Sequence, residues 1–159
     1  MTLGAFLVET KTKYGFIPIC KLRELVTQTT VEHHLEWKGI KLSKSLNSTV
    51  IARSRKLIAI LILLDLEIQI ENVIGLDICD EIFPVKQGNI SFLKDDDDKY
   101  RFYLAQWAVP PAFSPEQHME LPREAILPFL SKTRINHGTF GIVYKVRVAD
   151  GHVVDYGVS

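Results

Sequence analysis

The sequence has little cysteine and no excess of either charge. Cys20 and Cys79 are the two cysteines of the 159-residue chain, and neither has a Cys-x-x-Cys neighbour. Two such residues predict a reduced thiol pair rather than a disulfide scaffold. Nineteen basic residues balance nineteen acidic ones, with a pI near 7.0. Because nucleic-acid binders usually carry a basic surface, we expect no nucleic-acid partner.

Long apolar stretches are also absent. The longest apolar run, Leu57 to Leu64, is far shorter than the roughly 20 residues that span a bilayer. The N-terminus lacks a basic segment followed by an apolar one, so it does not resemble a secretory signal. We therefore expect a soluble, intracellular protein, cytoplasmic or nuclear, with no membrane partner. The 47% hydrophobic content predicts a buried core of about one domain.

Helical periodicity dominates the first half of the chain. Ser48 can cap a helix that continues to Asp65, and its apolar residues recur at helical spacing. The segment from Leu57 to Leu64 could also be a buried strand, because it is rich in β-branched residues; the length and cap of the whole segment favour a helix. We expect this helix to form the centre of the core, where Ile58, Leu61 and Leu64 would be buried with Leu22, Leu25 and Trp107.

Shorter helices are predicted on both sides of it. Pro18 suits the first turn of a helix over "PICKLRELVTQ", and Thr29 with Glu32 predicts a capping box that opens a second helix ending at Gly39. A further short helix, "LEIQIENVI", would end at Gly75.

The middle of the chain predicts a packed loop, an acidic helix start and a linker. The run from Asp95 to Lys99 is typical of a solvated helix N-terminus, where carboxylates favour the positive end of the helix dipole. It does not fit a calcium loop, because Tyr100 stands where the turn needs glycine. A proline-rich extended segment follows. We therefore predict a helical region over residues 1–120 and a second region over residues 121–159.

The histidines predict no metal site. His33 and His34 are adjacent, so on a helix they point to different faces and cannot clamp one ion. His118, His137 and His152 are isolated in sequence, and each is predicted to be a surface residue.

A glycine-containing hairpin is the strongest chemical signal. The segment comprises Ile135, Asn136, His137, Gly138, Thr139, Phe140, Gly141, Ile142 and Val143, and it continues as an alternating strand. Since the two glycines have no Cβ, the backbone could approach phosphate oxygens closely, and the tip amides could donate to them. The apolar residues at positions 135 and 143 would pack on an adenine ring. The alternative is a plain β-hairpin with a glycine turn.

This segment resembles the phosphate-covering loop of protein kinases, whose pattern is G-x-G-x-x-G-x-V, with Asn136 in place of the first glycine. Tyr156, Gly157 and Val158 are similar to the third kinase strand, and Ser159 stands where that pattern has its phosphate-pairing lysine. The segments "LIAILILL", "GLDICDEIFP", "QWAVPPAF" and "ILPFL" make residues 57–158 resemble the N-terminal extension of filamentous-fungal protein kinases.

The resemblance implies an α+β fold, in which a helical region precedes a β-hairpin or three-stranded meander like the start of a kinase N-lobe. It also implies ATP with Mg²⁺ as ligand, bound by Ile135, Asn136, His137, Gly138, Thr139, Phe140, Gly141 and Val143. The family activity would be phosphorylation of serine or threonine. The catalytic-loop and metal-binding aspartates are not present, so we expect a truncated kinase-like chain with no catalytic residues and weak ATP binding. The alternative is a non-enzymatic helical module that binds protein partners.

Overall fold

The computed structural model describes residues 1–114 and 118–153, and within them the chain is α+β. Six α-helices are followed by a two-stranded antiparallel sheet. The elements are α1 (Leu3–Tyr14), α2 (Ile19–Leu25), α3 (Gln28–Trp37), α4 (Ser48–Leu63), α5 (Ile70–Gly75), α6 (Asp96–Ala105), β1 (Phe129–Gly138) and β2 (Gly141–Val148). None of the helices in these two ranges is long and apolar enough to cross a membrane.

Helix α4 is the centre of the core. Every residue from Leu57 to Ile62 is buried, and the helix contacts α1, α2, α5 and α6. Neighbours on all sides explain why this stretch is apolar all round. The prediction of a central helix is confirmed. Of the side chains expected in the core, Ile58, Leu61, Leu22 and Trp107 are buried, whereas Leu25 and Leu64 are partly buried against it.

A break divides α4 into two parts. Ser54 has non-helical dihedral angles, φ −128° and ψ 17°. Just beyond it, the carboxylate of Asp80 accepts hydrogen bonds from the backbone N–H groups of Lys56 and Leu57, each at 2.9 Å. Asp80 therefore acts as a cap for the second part of α4, supplied by a distant loop.

Two of the predicted caps are wrong by one or two residues. Asn47 rather than Ser48 caps α4, and its side-chain oxygen accepts the N–H of Val50 at 2.8 Å. Thr27 and Thr30, rather than Thr29 and Glu32, form the capping box of α3. The hydroxyl of Thr30 accepts a hydrogen bond from the N–H of Thr27 at 2.9 Å, the role predicted for the Glu32 carboxylate.

Two further predictions about local structure hold. Asp95 caps α6, and Asp96, Asp97 and Asp98 occupy the first turn, as the acidic run predicts. The irregular region after α5 contains short 3₁₀ turns and packs its large side chains inward; Val85, Ile90 and Phe92 are buried.

A buried polar pair joins α3 to the turn that precedes α5. His34 and Glu67 are 2% and 3% exposed, and His34 Nε2 lies 2.9 Å from Glu67 Oε1. The other ring nitrogen of His34 accepts a long hydrogen bond, 3.5 Å, from the N–H of Gly4 in α1. Each ring nitrogen has a partner, as a buried imidazole requires.

The two strands form the predicted hairpin, with the two glycines on either side of its turn. Gly138 pairs with Gly141, and Asn136 pairs with Val143. A register shift between Arg134 and Asn136 leaves Ile135 as the extra residue. The third strand of the expected meander would begin at His152. Of its residues the structure describes His152 and Val153, where Val153 forms an isolated bridge with Phe113, and the rest lie outside the described residues.

Candidate functional site

The tip of the hairpin is open to solvent. Thr139 and Phe140 form the turn between the strands, and the side chain of Phe140 is fully exposed. A Cβ added to Gly138 or Gly141 would meet no atom within 4 Å. Packing within the described structure therefore does not require the absence of a side chain at either position, although the positive φ of Gly141, 159°, itself favours glycine.

The two apolar residues predicted to contact a base lie near each other on the two strands. Val143 pairs with Asn136, so Ile135 is one residue away from the partner of Val143. Both are exposed, Ile135 by 63% and Val143 by 55%. Two exposed β-branched residues therefore lie near each other on adjacent strands.

All the sequence-predicted site residues belong to this one hairpin. Ile135, Asn136, His137 and Gly138 end β1, and Gly141 and Val143 begin β2, with Thr139 and Phe140 between them. His137 pairs with Ile142 in the strand register. The structure therefore brings together the residues of the predicted phosphate loop.

Four cationic side chains follow the tip along the strands, and sequence reasoning did not single them out. They are Lys132, Arg134, Lys145 and Arg147, and residues 129–148 contain no acidic residue. Lys132 Nζ lies 4.0 Å from the centroid of the Tyr144 ring. None of the four has a carboxylate within 4.0 Å in the described part of the chain. Their positive charge is therefore available to an anionic ligand.

The hairpin lacks a cover over most of its length. Residues 131–136 of β1 and residues 141–145 of β2 are exposed, and burial begins only near the end remote from the tip. There Val146 and Val148 are half-buried and Ala149 is buried. Ile135 and Val143 therefore have no covering element among the described residues.

The hairpin is attached to the helices through the residues that follow β2. His152 is completely buried, so the prediction that it lies on the surface is wrong. Its ring packs edge-on against Phe16 at 6.0 Å and contacts the backbone of Ile19 and Pro111. Because a histidine can be stable in either environment, its burial has no signature in the sequence. His118, in contrast, is exposed as predicted.

Metal ligands are not clustered in residues 1–114 and 118–153. No three His, Cys, Asp or Glu side chains in these ranges lie close enough together to hold an ion.

Comparison with known proteins gives no match to a protein-family model, to a curated protein or to a solved structure.

Proposed function

We propose that residues 129–148 form a nucleotide-phosphate-covering hairpin of the protein-kinase type, in a kinase-like chain whose helical region comes first. The observation that supports this is the combination of register and chemistry at the tip. A glycine stands on each side of a two-residue turn, where added side chains would meet nothing within 4 Å, and four cations lie on the adjoining strands.

The roles of the residues follow from the hairpin geometry. The backbone N–H groups of Thr139 and Phe140 donate to phosphate oxygens, as in other backbone anion sites. Ile135 and Val143 supply the apolar wall for adenine. The cationic side chains reduce the repulsion that a triphosphate would otherwise meet. Mg²⁺, when bound with ATP, neutralises part of the phosphate charge.

Such a site binds nucleotide weakly and does not catalyse transfer. Half of an adenine pocket buries too little of the ring for tight binding, since ligand sites usually enclose most of the ligand. The sequence has no aspartate in the catalytic-loop or metal-binding pattern of kinases. Ser159, which stands at the lysine position of that pattern, lies outside the described residues.

A nitrogen-15 NMR titration of the whole chain with Mg-ATP tests the proposal. We expect the amide signals of Thr139 and Phe140 to move, with a dissociation constant of about 1 mM or weaker, the affinity of a partial site. Gly138→Ala should reduce the shifts without unfolding the chain, because a Cβ there meets nothing. Gly88→Ala is the matched control, since its Cβ also meets nothing and it lies far from the tip in sequence.

Two results would contradict this assignment. Amide shifts spread over the helices, with none at the tip, would place nucleotide binding elsewhere. A micromolar dissociation constant from calorimetry would show that a complete site already exists in this chain.

The second candidate is a helical module that binds a protein partner and has a hairpin that only resembles a kinase loop. The exposed apolar side chains of Ile142, Val143 and Tyr144, at 49%, 55% and 41%, favour it. Amide hydrogen exchange separates the two candidates. Protection of residues 143–148 equal to that of residues 57–64 would show a self-sufficient hairpin and favour the interaction module. A much less protected hairpin is expected of an incomplete kinase sheet.

A further inference from the structure

The ring of His152 makes two hydrogen bonds to backbone groups of different segments. Nε2 accepts the N–H of Ile19, at the start of α2, at 2.9 Å. Nδ1 lies 3.1 Å from the carbonyl oxygen of Pro111, in the proline-rich segment after α6. Because a backbone N–H can only donate and a carbonyl can only accept, Nδ1 must carry the proton and Nε2 must not. The buried ring is therefore neutral and has a fixed tautomer.

The backbone around His152 strengthens the same contact. Its carbonyl oxygen accepts the N–H of Phe113 at 2.6 Å, and Phe113 forms a parallel bridge with Val153. On the hairpin side, the N–H of Ala149 donates to Pro128 at 2.8 Å. Residues 149–153 thus tie the base of the hairpin to α2 and to the proline-rich segment.

No carboxylate of the described residues forms an ion pair with this ring. Phe16 provides an aromatic wall. Lys56 of α4 acts on the ring, and its positive charge opposes protonation. Burial and, secondarily, the Lys56 charge lower the pKa of His152.

A neighbouring cleft of about 200 Å³ contains the other charges on this side, from Arg23 of α2, Arg55 of α4 and Asp80. The two oxygens of Asp80 already accept backbone hydrogen bonds from α4, and Arg55 Nε donates to the carbonyl of Val26. The acid in this cleft is therefore engaged elsewhere.

We propose that residues 149–153 form an acid-released latch, in which neutral His152 holds the base of the hairpin on the helical region and protonated His152 releases it. A proton on Nε2 would point at the N–H of Ile19, so the hydrogen bond would be replaced by repulsion in a buried site. The latch concerns how the hairpin is attached, and it does not depend on whether the tip binds nucleotide.

The direction of the pH dependence follows from linkage. A free imidazole titrates at about 6.5, and the latched ring titrates at a lower pH. Above about pH 6.5 both states are neutral and the latch has its full stability. Between that pH and the lowered pKa only the open state binds the proton, so the ratio of closed to open falls about tenfold for each pH unit.

Hydrogen exchange on the full chain measures the latch at two of its own amides. The N–H groups of Ile19 and Phe113 both donate to His152, so their protection factors report closure. We expect these factors to fall by up to about tenfold between about pH 7.5 and about pH 5.5, because only the interval below about pH 6.5 contributes, while the amides of residues 57–62 in α4 keep theirs.

Two histidine variants assign the effect. In His152→Gln the amide oxygen can still accept the N–H of Ile19 but cannot be protonated, so protection of the two amides should no longer depend on pH. His33→Gln, on the exposed side of α3, should behave like the unmodified chain. Far-UV circular dichroism verifies that the helices persist in each sample.

Three outcomes would overturn the latch. The first is unchanged protection of the Ile19 and Phe113 amides across the pH range. The second is the same loss of protection in His152→Gln. The third comes from ring nitrogen NMR of the unmodified chain, which gives an answer even if the variant does not fold: a proton on Nε2 at neutral pH, or a pKa of His152 at or above 6.5, contradicts the geometry.

Discussion

Removal of the Asp80 carboxylate should destabilise the helical region, because Asp80 caps the second part of α4. In Asp80→Ala, the N–H groups of Lys56 and Leu57 lose their partner at 2.9 Å. Hydrogen bonds to a charged group contribute about 1.5–3 kcal/mol each, and the carboxylate is itself partly desolvated, which offsets some of that gain. We expect a net loss of about 2–4 kcal/mol in the free energy of unfolding.

Asp80→Asn separates the hydrogen bonds from the charge. One amide oxygen can still accept an N–H, and the cost of burying a charge disappears, so the loss should be about 1–2 kcal/mol. Burial raises the pKa of Asp80 above its ordinary value. The folded state therefore binds this proton more readily than the unfolded state, and stability declines as pH rises through the raised pKa. That decline should be absent in Asp80→Asn.

Urea unfolding, monitored by far-UV circular dichroism, measures these differences. The dependence of the free energy of unfolding on urea concentration should be equal in all variants. Glu36→Ala is the control, because Glu36 is exposed on α3 and has no side-chain partner among the described residues; a change within about 0.5 kcal/mol is expected. If Asp80→Ala were as stable as the unmodified chain, the interpretation of Asp80 as the cap of α4 would be wrong.

Two further pairs of variants test the core and the corrected cap. Leu61→Ala should cost about 3–5 kcal/mol in urea unfolding because Leu61 is completely buried, whereas Leu76→Ala, at a position 58% exposed, should cost little; equal midpoints would contradict the core assignment. Thr27→Ala should cost about 1 kcal/mol by removing the capping box of α3, and Thr29→Ala, on the exposed side of the same helix, should be nearly neutral. If Thr29→Ala lost more stability than Thr27→Ala, the capping box predicted from the sequence, Thr29 with Glu32, would be the correct one.

Strong periodicity made the centre of the fold predictable. Helix α4 combines a polar cap residue with a long apolar pattern, and this pattern leaves few alternatives for the chain. The acidic start of α6 was predictable for a different reason, because charge at a helix end follows the helix dipole whatever the tertiary structure. The hairpin was predictable from the two glycines that stand between two alternating strands.

Helix α1 illustrates what the pattern could not reveal. Only Leu3 and Leu7 of its twelve residues are buried, so its apolar face is one pair spaced four residues apart. Such a pair is too weak to distinguish a helix from a loop. The helix is fixed instead by contacts with α3 and α4 that are distant in sequence.

The sequence pattern also did not indicate the polar contacts that define the fold. The capping box of α3 uses two threonines, and a hydroxyl at the second position matches the pattern less well than the glutamate nearby. The burial of His152 depends on backbone groups of Ile19 and Pro111, more than forty residues away in sequence. Backbone partners leave no residue-type signal, so only the folded chain shows where a buried histidine finds its hydrogen bonds.

The cations on the strands make this overall neutral protein an electric dipole. Residues 129–148 hold four of the nineteen basic residues and none of the nineteen acidic ones, so the remainder of the chain carries four more acidic than basic residues. Two oppositely charged regions on one molecule orient it in an external field and attract neighbouring copies head to tail when little salt is present. Near its isoelectric point the protein would then bind to a cation exchanger through the hairpin. It would also bind to an anion exchanger, through the helical region.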